Sequence, residues 1–392
     1  MKVIWLVSNY PNAFNPISGN FYQRMAEALV RQEIDVTVFA FTPYSNKIIS
    51  RLSKKHSLFE KYPRTELVNG VKIIRPRYLN LPKLQKIGLS HFSMYLSLND
   101  RKEFETCDVV DAHFVYPFGM LARLIQKRYN LPYTISFIGD DVNIDPFINA
   151  KSRKRFIKSV QNSNARISVS SELSETVKKL CNLDSKVINH GLNINHIKNI
   201  KVNPFVKEDD TTYLLYVGEV TKAKGIHLII ELLMNEEWAR KNDIQWIIIG
   251  EGNLVNLLRD FKNVQLKGLL NNDEVISYMK QTDYFVFPSL HEGMPNVLKE
   301  AGVCNLPIIS SDAGGISSLL NDGERGALFK RGKYDSFKDT LVNTINQPAL
   351  AKSKSVLLYN YIDAHYNADQ NANDLIEVYE SAIKNFNLKK IS

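Results

Sequence analysis

A chain of 392 residues is too long for one ordinary hydrophobic core, so we expect two domains of about 200 residues each. Hydrophobic residues at 44% and charged residues at 23% are typical of a soluble globular protein. The chain shows neither an apolar run of about 18 residues nor a charged-then-apolar leader, so we expect no membrane-spanning helix, no secretion signal and a cytoplasmic location. Cys107, Cys181 and Cys304 are odd in number and far apart, which fits a reducing compartment and predicts neither a disulfide framework nor a metal cage.

The net charge of +9 is unevenly distributed. Residues 1–200 hold 29 Lys plus Arg against 16 Asp plus Glu, or +13, whereas residues 201–392 hold 21 against 25, or −4. Nucleic acid, an anionic membrane surface or an anionic acceptor could each bind the basic half. Because the chain carries no nucleic-acid motif and its second half is acidic, we expect no nucleic acid and favour the membrane surface or the acceptor.

Two segments concentrate this positive charge. Residues 46–61 place Ile48, Ile49, Leu52 and Phe59 near one helical face, surrounded by Lys47, Arg51, Lys54, Lys55 and Lys61. This pattern predicts either an interfacial helix at a membrane or a solvated basic face. Residues 151–158 add five positive side chains in eight positions. Peripheral attachment to the cytoplasmic membrane face is therefore one expectation.

The chain alternates short apolar strands with helical segments, which predicts an α/β fold with parallel sheets. In the first half, strands are predicted at residues 2–8, 36–41, 108–115, 133–138, 166–171 and 186–189, with a helix at residues 21–30 after a loop rich in Pro and Gly. Residues 198–211 are polar and predict a linker. The second half restarts with strands at residues 212–218 and 246–250, and it ends in a helix at residues 357–385. A dinucleotide-binding G-x-G-x-x-G is absent.

The most informative stretch is residues 284–315, which predicts a strand (284–287), a turn (288–293), a helix (295–303) and a strand (307–310). Pro295 suits the first turn of a helix, and Gly293 allows the preceding backbone to approach a ligand. The backbone N–H groups of Met294 to Val297 then point out of the helix N-terminus, where anions such as phosphate bind.

Two glutamates flank this anion site. Glu292 and Glu300 are eight residues apart, or about 12 Å of rise if helical throughout, so they should not share a proton. Either they hold two parts of one long ligand, with one near a ribose, or Glu292 caps the helix and Glu300 is solvated.

The sequence H-E-G-M-P-N-V-L-K-E-A-G-V-C-N-L-P-I-I-S-S-D-A-G-G, residues 291–315, resembles the E-x7-E region of family 4 glycosyltransferases. These are retaining sugar transferases of the GT-B fold. The resemblance implies two Rossmann-like domains facing a central cleft, with the C-terminal helix returning to the first domain. The acceptor-side domain would comprise residues 1–200 and 362–392, and the nucleotide-sugar-binding domain residues 205–361.

The resemblance also implies roles for individual residues. In the second domain, Lys224 would neutralise the donor diphosphate, Glu292 would bind the donor sugar and Glu300 the ribose. The implied donor-binding residues are Gly19, Gly218, Lys224, Leu269, Glu292, Gly293, Met294, Pro295, Asn296, Val297 and Glu300. His113, Glu292 and Lys224 are the implied catalytic residues, and His113 and Asp141 lie on the acceptor side. From the residues alone, His113 could be a satisfied structural histidine, and Asp141 could cap a segment rather than bind an acceptor hydroxyl.

The chain departs from the family pattern at two places. Ile138-Gly139-Asp140-Asp141 stands where His-Gly-x-Asp is frequent, so the histidine is missing. Glu219 follows Gly218 where an arginine is usual, so either Glu219 turns away from the diphosphate or another cation, such as Lys222, takes that place.

The resemblance implies a retaining transfer of a hexose-type sugar from a nucleoside diphosphate sugar, which we expect to be a UDP sugar, to a carbohydrate or lipid-linked acceptor. Cell-surface polysaccharide or glycoconjugate synthesis is the expected setting. The chain has no Asp-x-Asp, so we expect no metal and no cofactor beyond this co-substrate. The alternatives are a nucleotide-sugar epimerase of the same fold and a non-catalytic sugar-nucleotide-binding subunit.

Overall fold

The computed structural model of the chain describes residues 1–15, 19–45, 54–80, 89–98, 102–205, 207–241, 243–292 and 294–391. It divides into two compact units, one comprising Met1–Gly191 with Ala368–Ser392 and the other Leu192–Asn367. Each unit is built on one mainly parallel sheet, so the predicted two-domain α/β organisation is confirmed.

The first unit contains strands and helices in alternation. The strands are β1 (Lys2–Val7), β2 (Asp35–Ala40), β3 (Thr42–Pro43), β4 (Thr65–Val68), β5 (Val71–Ile74), β6 (Arg77–Tyr78), β7 (Val109–His113), β8 (Tyr133–Phe137), β9 (Ala165–Ser168) and β10 (Lys186–Val187). The helices are α1 (Asn20–Arg31), α2 (Lys54–Lys61), α3 (Ser90–Leu96), α4 (Met120–Tyr129), α5 (Asp140–Asn143), α6 (Asp145–Ile148), α7 (Ala150–Asn162) and α8 (Ser171–Cys181). The sheet order is β10-β9-β8-β7-β1-β2-β5-β4, parallel except for the β4–β5 pair, while β3 and β6 pair separately.

The first sheet is covered on both faces. Along β1, Ile4 and Leu6 join the hydrophobic core on one side, and Trp5 and Val7 join the core on the other. Successive strand residues point to opposite faces, so a continuous apolar run is required where both faces are buried. This explains why the strand is apolar throughout rather than alternating.

The second unit has a sheet whose strands are all parallel. Its strands are β11 (Thr212–Val217), β12 (Ile244–Ile249), β13 (Val264–Gly268), β14 (Tyr284–Phe287), β15 (Ile308–Ser311) and β16 (Ala327–Phe329). Its helices are α9 (Ile194–Asn199), α10 (Ile226–Asn235), α11 (Asn272–Met279), α12 (Asn296–Val303), α13 (Gly315–Leu320), α14 (Tyr334–Ile345) and α15 (Pro348–His365). The sheet order β13-β12-β11-β14-β15-β16 reads 3-2-1-4-5-6 within the unit, which is the Rossmann order.

Each sheet has one point at which the strand order reverses. In the first unit it lies between β1 and β7, and in the second between β11 and β14. Loops leaving two such strands turn to opposite sides of the sheet and open a crevice at the carboxyl edge, where ligands of α/β proteins bind. We therefore expect ligand-binding residues in the loops after these four strands.

The C-terminal region differs from the single helix predicted over residues 357–385. Helix α15 ends at His365, and a new helix, α16 (Ala368–Ile391), begins after Asn367. Tyr366 is buried in the core of the second unit, and its carbonyl oxygen accepts the Leu192 N–H at 2.7 Å, which diverts the backbone from the helix. Helix α16 packs on the first unit through Leu375 and Tyr379, so the return of the last helix is confirmed.

The predicted linker, residues 198–211, is packed on the second unit instead. Phe205 stacks on Tyr278 with ring centroids 5.6 Å apart, and the Asn203 N–H donates to Ser277 Oγ at 2.8 Å. The chain crosses between units at Gly191–Leu192 and Asn367–Ala368, whereas the boundaries were predicted at 200 and 362. Polarity marked this segment as a linker, but its few apolar side chains are enough to fix it.

Two predictions fall partly or wholly outside the described residues. Of the basic segment 46–61, only α2 at its end is described, and Ile48, Ile49 and Leu52 are not. Gly293 is not described either. Among the described residues, no helix combines the length and apolar composition that crossing a bilayer needs.

Candidate functional site

The carboxyl edge of the second sheet brings the predicted donor-binding loops together. Lys224 lies in the loop after β11 and Glu292 in the loop after β14, the two strands that flank the reversal of strand order. The Leu290 N–H donates to the Ala223 carbonyl oxygen at 3.0 Å, which joins the two loops directly. Residues far apart in sequence thus meet at the expected crevice of the fold.

Two glycines allow these loops to pack backbone against backbone. A Cβ on Gly225 would lie 1.8 Å from the Pro288 carbonyl oxygen, and a Cβ on Gly314 would lie 1.8 Å from the Glu292 carbonyl oxygen. Both glycines have positive φ, +76° and +55°, which other residues rarely adopt. The close approach fixes the Glu292 backbone between neighbouring loops.

Lys224 and Glu292 form an ion pair at the centre of this site. Lys224 Nζ lies 2.6 Å from Glu292 Oε1, and the same oxygen accepts a hydrogen bond from Ser289 Oγ at 2.8 Å. The Lys224 side chain is 31% exposed and that of Glu292 12%, so the pair is half-buried and can contact a ligand. Among the described residues both donors contact Oε1, which leaves Oε2 to accept a hydrogen bond from a ligand hydroxyl.

The Tyr216 hydroxyl lies beside this pair and donates to the Glu219 carbonyl oxygen at 2.7 Å. Burial raises the pKa of Tyr216 first, and the negative charges of Glu292 and Glu219 raise it further. Glu219 is exposed, yet its charge acts on the same hydroxyl as that of Glu292. Glu219, in the position where the family usually has an arginine, thus adds a negative charge near the Lys224–Glu292 pair. Lys224 is the cation of that pair.

Helix α12 directs its N-terminus towards the turn that carries Glu292. Pro295 is the residue before the helix, with extended backbone (φ −71°, ψ 123°), rather than its first residue as predicted. No side chain caps this end, and the first turn carries no acidic residue. The N–H groups of Asn296 and Val297 therefore remain suited to a phosphate, since uncapped first-turn N–H groups carry partial positive charge. Met294 lies in the turn before and is half-buried.

Glu300 is buried, with 5% of the residue exposed, so the alternative that it is solvated is wrong. Helix α12 begins only at Asn296, so the segment from Glu292 to Glu300 is not helical throughout. The rise of about 12 Å, which assumed a continuous helix, therefore does not apply.

Two other predicted donor-binding residues lie at the same carboxyl edge of the second sheet. Leu269 follows β13 and is 71% exposed. Gly218, which follows β11, packs its carbonyl oxygen against Gly250.

In the first unit, His113 ends β7 and is buried beneath two aromatic rings. Its ring centroid lies 4.6 Å from that of Trp5 and 5.0 Å from that of Tyr22. Burial lowers the pKa of His113 below its usual range, and Asp111 offsets part of that effect, so the imidazole is neutral at pH 7. Neither ring nitrogen has a hydrogen-bond partner among the described residues. The imidazole borders a cavity of about 30 Å³ that Ile138 also lines, enough for a water molecule.

Asp111, which was not predicted from the sequence, lies beside His113 and joins a buried hydrogen-bond network. Asp111 Oδ2 lies 3.4 Å from His113 Nε2 and accepts the Tyr379 hydroxyl at 2.8 Å, while Ser136 Oγ also donates to the carboxylate. The Tyr379 hydroxyl in turn accepts the Trp5 Nε1–H at 2.9 Å. The D-x-H spacing could have indicated Asp111, because residues two apart on a strand share a face. Tyr379 had no such signal, since it comes from α16.

Asp141 accepts hydrogen bonds from backbone N–H groups around it. Its oxygens accept the N–H groups of Ile138, Gly139 and Val115 at 3.1, 2.9 and 3.2 Å. Burial raises the pKa of Asp141 to about 6, and those hydrogen bonds oppose the shift. These N–H groups belong to residues before Asp141 and to the loop after β7, and no described side chain caps the start of α5, so the predicted capping of the following segment is not found. Contact with an acceptor hydroxyl stays a prediction.

Gly19 precedes the uncapped N-terminus of α1 with φ +85°, after the loop that leaves β1. It therefore lies at the reversal point of the first sheet, as His113 does. In the part of the chain that the structure describes, no group of three or more His, Cys, Asp or Glu side chains is placed to hold a metal ion.

Two family models match the chain. The model described as Glycosyltransferase Family 4 matches residues 18–196, and the model described as Glycosyl transferases group 1 matches residues 198–355. One similar protein is TuaC of Bacillus subtilis (strain 168), named as a glycosyltransferase of teichuronic acid biosynthesis, with 26% identity over 98% of this chain and 99% of its own length.

Solved structures share the fold at low identity. Sucrose-phosphate synthase from Thermosynechococcus elongatus aligns with a TM-score of 0.70 and 15% identity over 97% of this chain and 98% of that one. Anabaena HepE in complex with UDP aligns with a TM-score of 0.66 and 14% identity over 97% of this chain and all of that one (100%).

Proposed function

Because this chain belongs to glycosyltransferase family 4 and is a glycosyltransferase, we propose that it is a retaining enzyme that takes its sugar from a nucleoside diphosphate sugar and transfers it to a carbohydrate or lipid-linked acceptor. The donor binds the second unit, and UDP is its nucleotide. The UDP complex of the HepE fold relative supports this choice of base.

The ion pair between Lys224 and Glu292 at the reversal point of the second sheet carries the proposal. A diphosphate placed there meets the Lys224 ammonium and the N–H groups at the start of α12, which together stabilise negative charge. Glu292 Oε2 accepts a sugar hydroxyl, and Glu300, farther along α12, accepts ribose hydroxyls. These roles supply a donor site in which charge is stabilised by the protein itself.

Transfer then follows a front-face substitution. The bond between the anomeric carbon and the departing diphosphate oxygen breaks, while the acceptor oxygen bonds to the same face of that carbon. The acceptor proton passes to the leaving phosphate oxygen, so configuration is retained and charge is balanced. Lys224 and the α12 N-terminus stabilise the developing negative charge on the diphosphate. Neutral His113, which lies beside Asp111, orients the sugar and the acceptor.

The setting we propose is cell-surface polysaccharide synthesis, supported by the similarity to TuaC over nearly the whole chain. The protein attaches to an anionic membrane surface through the first unit. Ile144, Phe147 and Ile148, around α6, are 53%, 60% and 61% exposed. They precede α7, whose Lys151, Arg153, Lys154 and Lys158 are exposed. Apolar side chains beside a basic helix suit an interface of anionic lipid.

A turnover assay tests the proposal. The chain is incubated in chelator with UDP, GDP and ADP sugars, with and without lipid-linked saccharides extracted from the source cells, and products are identified by NMR. The proposal predicts UDP release that requires acceptor, and a product with the anomeric configuration of the donor. Donor turnover to free sugar without acceptor would support the epimerase alternative, and binding without any turnover would support a non-catalytic subunit.

A further inference from the structure

A second cavity in the first unit, of about 600 Å³, shares no residue with the sites described above. It lies between β6 and helix α3. One wall is formed by Leu89, the residue before α3, and by Phe92 and Leu96, which are four residues apart and so share one face of α3. Tyr78 and Leu79 of the β6 segment continue the apolar lining.

Helix α3 is apolar on two faces. His91 and Met94 are buried against the core, yet Phe92 and Leu96, on the cavity side, are 48% and 74% exposed. Leu79 is also exposed, at 58%. A cluster of exposed large apolar side chains around a concave surface is typical of a binding site, because burying them in water-free contact is favourable.

The rim of the same cavity carries two positively charged side chains that pair with no carboxylate among the described residues. Arg64 and Arg77 both line the cavity, and neither forms an ion pair with another described residue. The neighbouring Arg75 differs, since it pairs with Glu66. Burial lowers the pKa of Arg77, and the positive charges of Arg64 and Arg75 lower it further.

The Arg77 guanidinium has N–H donors that no described residue accepts. Nη2 donates to the Tyr62 carbonyl oxygen at 2.7 Å, whereas Nη1 is buried and has no hydrogen-bond partner among the described residues. A guanidinium carries five N–H donors, of which Arg77 uses one for Tyr62, and an anion is the partner that most favours a guanidinium. Two arginines that no described carboxylate pairs with, beside an apolar groove, match a ligand with an anionic head and an apolar chain.

We propose that this cavity binds a lipid phosphate, with the phosphate on Arg64 and Arg77 and the chain along Leu79, Phe92 and Leu96. This inference rests on the proposed function in one respect, because it identifies the lipid phosphate as the lipid part of the lipid-linked acceptor, bound on the acceptor-side unit. The arginines select the charged head, and the apolar wall selects lipid over a water-soluble phosphate.

Calorimetry on the full chain with three probes tests the two halves of the site. The probes are decyl phosphate below its micelle concentration, inorganic phosphate and decanol. The proposal predicts that decyl phosphate binds at least tenfold more tightly than either of the others. Equal affinity for inorganic phosphate would overturn the lipid part, and equal affinity for decanol would overturn the anionic part.

Matched variants locate the binding. Arg77→Gln should weaken decyl phosphate binding about tenfold or more, since it removes charge-assisted hydrogen bonds. Arg166→Gln is the control, because Arg166 is also partly buried, also has a lowered pKa through burial and also donates to a backbone carbonyl. Leu96→Glu should weaken binding similarly by opposing the phosphate, with Leu67→Glu as its control, since Leu67 and Leu96 are both 74% exposed. Loss of the same size in test and control variants would overturn the assignment.

UDP binding to the same proteins separates this inference from the proposed function. Arg77→Gln and Leu96→Glu should leave the affinity for UDP unchanged, because both residues lie outside the donor loops. If the wild-type chain binds decyl phosphate at this cavity but no nucleotide, the lipid site stands and the proposed function fails. If it binds UDP but decyl phosphate no better than decanol, the lipid site is wrong and the proposed function stands.

Discussion

Replacing Lys224 by Met removes the cation of the site while keeping a side chain of similar length. In the wild type the ammonium contacts Glu292 Oε1 at 2.6 Å and faces the loop junction where the diphosphate is proposed to bind. The variant loses a charge-assisted hydrogen bond to that diphosphate, worth about 1.5 to 3 kcal/mol, or roughly a 10- to 150-fold increase in Kd for UDP. Folding stability should fall by only ~1 kcal/mol, because the lysine is about a third exposed and Ser289 still holds Glu292.

Isothermal titration with UDP in chelator measures the change in affinity, and urea unfolding measures the change in stability. Lys338→Met is the matched control. Lys338 Nζ lies 3.3 Å from Glu236 Oε1, and the Lys338 side chain is also 31% exposed. This pair lies away from the donor loop, because Glu236 follows the C-terminal end of α10 and the donor loop precedes its N-terminal end. An unchanged Kd in Lys224→Met, or an equal loss in Lys338→Met, would refute the role given to Lys224.

Three further predictions follow from individual contacts. Gly314→Ala should lower the affinity for UDP at least tenfold, since the new Cβ would collide with the Glu292 carbonyl oxygen. Gly323→Ala is the control, because Gly323 also has a positive φ but no atom lies within 4 Å of its added Cβ, and it should leave the affinity unchanged in the same titration. Asp141 has a folded-state pKa raised to about 6 by burial, so its contribution to stability is present below about pH 4 and is lost as pH rises through 6. The stability of wild type relative to Asp141→Asn, from urea unfolding at each pH, should therefore fall by ~3 kcal/mol across that window, and a flat difference would contradict the burial argument. Tyr379→Phe leaves Asp111 without one donor and should destabilise by ~2 kcal/mol in urea unfolding, more than the ~1 kcal/mol expected for Tyr133→Phe, whose hydroxyl bonds only a backbone carbonyl.

The strands in the middle of both sheets could be predicted from the sequence because each is a short apolar run between turn residues. The short strands β3 to β6, the strands β13 and β16 and many of the helices were not predicted. Strand β14 lies at the predicted residues 284–287, and β12 (Ile244–Ile249) overlaps the strand predicted at 246–250. The break between α15 and α16 could not be predicted in the same way. It depends on a tertiary hydrogen bond from Leu192 to Tyr366, and the local sequence there carries no proline or glycine.

The candidate site was predictable as a set of residues but not as an arrangement. The resemblance to family 4 identified Lys224 and Glu292, yet their ion pair follows from the strand order, which places β11 next to β14. The burial of Glu300 could not be read from a lone glutamate in a helical segment. Asp111 and Tyr379 meet only because α16 returns to the first unit, a contact between residues 268 apart in sequence.

The most direct test of the central claim is a thermal-shift panel of UDP, GDP and ADP sugars in chelator, on the wild type and on Glu300→Gln. A ligand that binds only the folded chain raises its melting temperature with the logarithm of occupancy. A nucleotide-sugar site in the second unit predicts a selective shift with a UDP sugar, which Glu300→Gln reduces or removes because one ribose-binding oxygen becomes an amide. No shift with any sugar nucleotide, or a shift that Glu300→Gln leaves unchanged, would contradict the account.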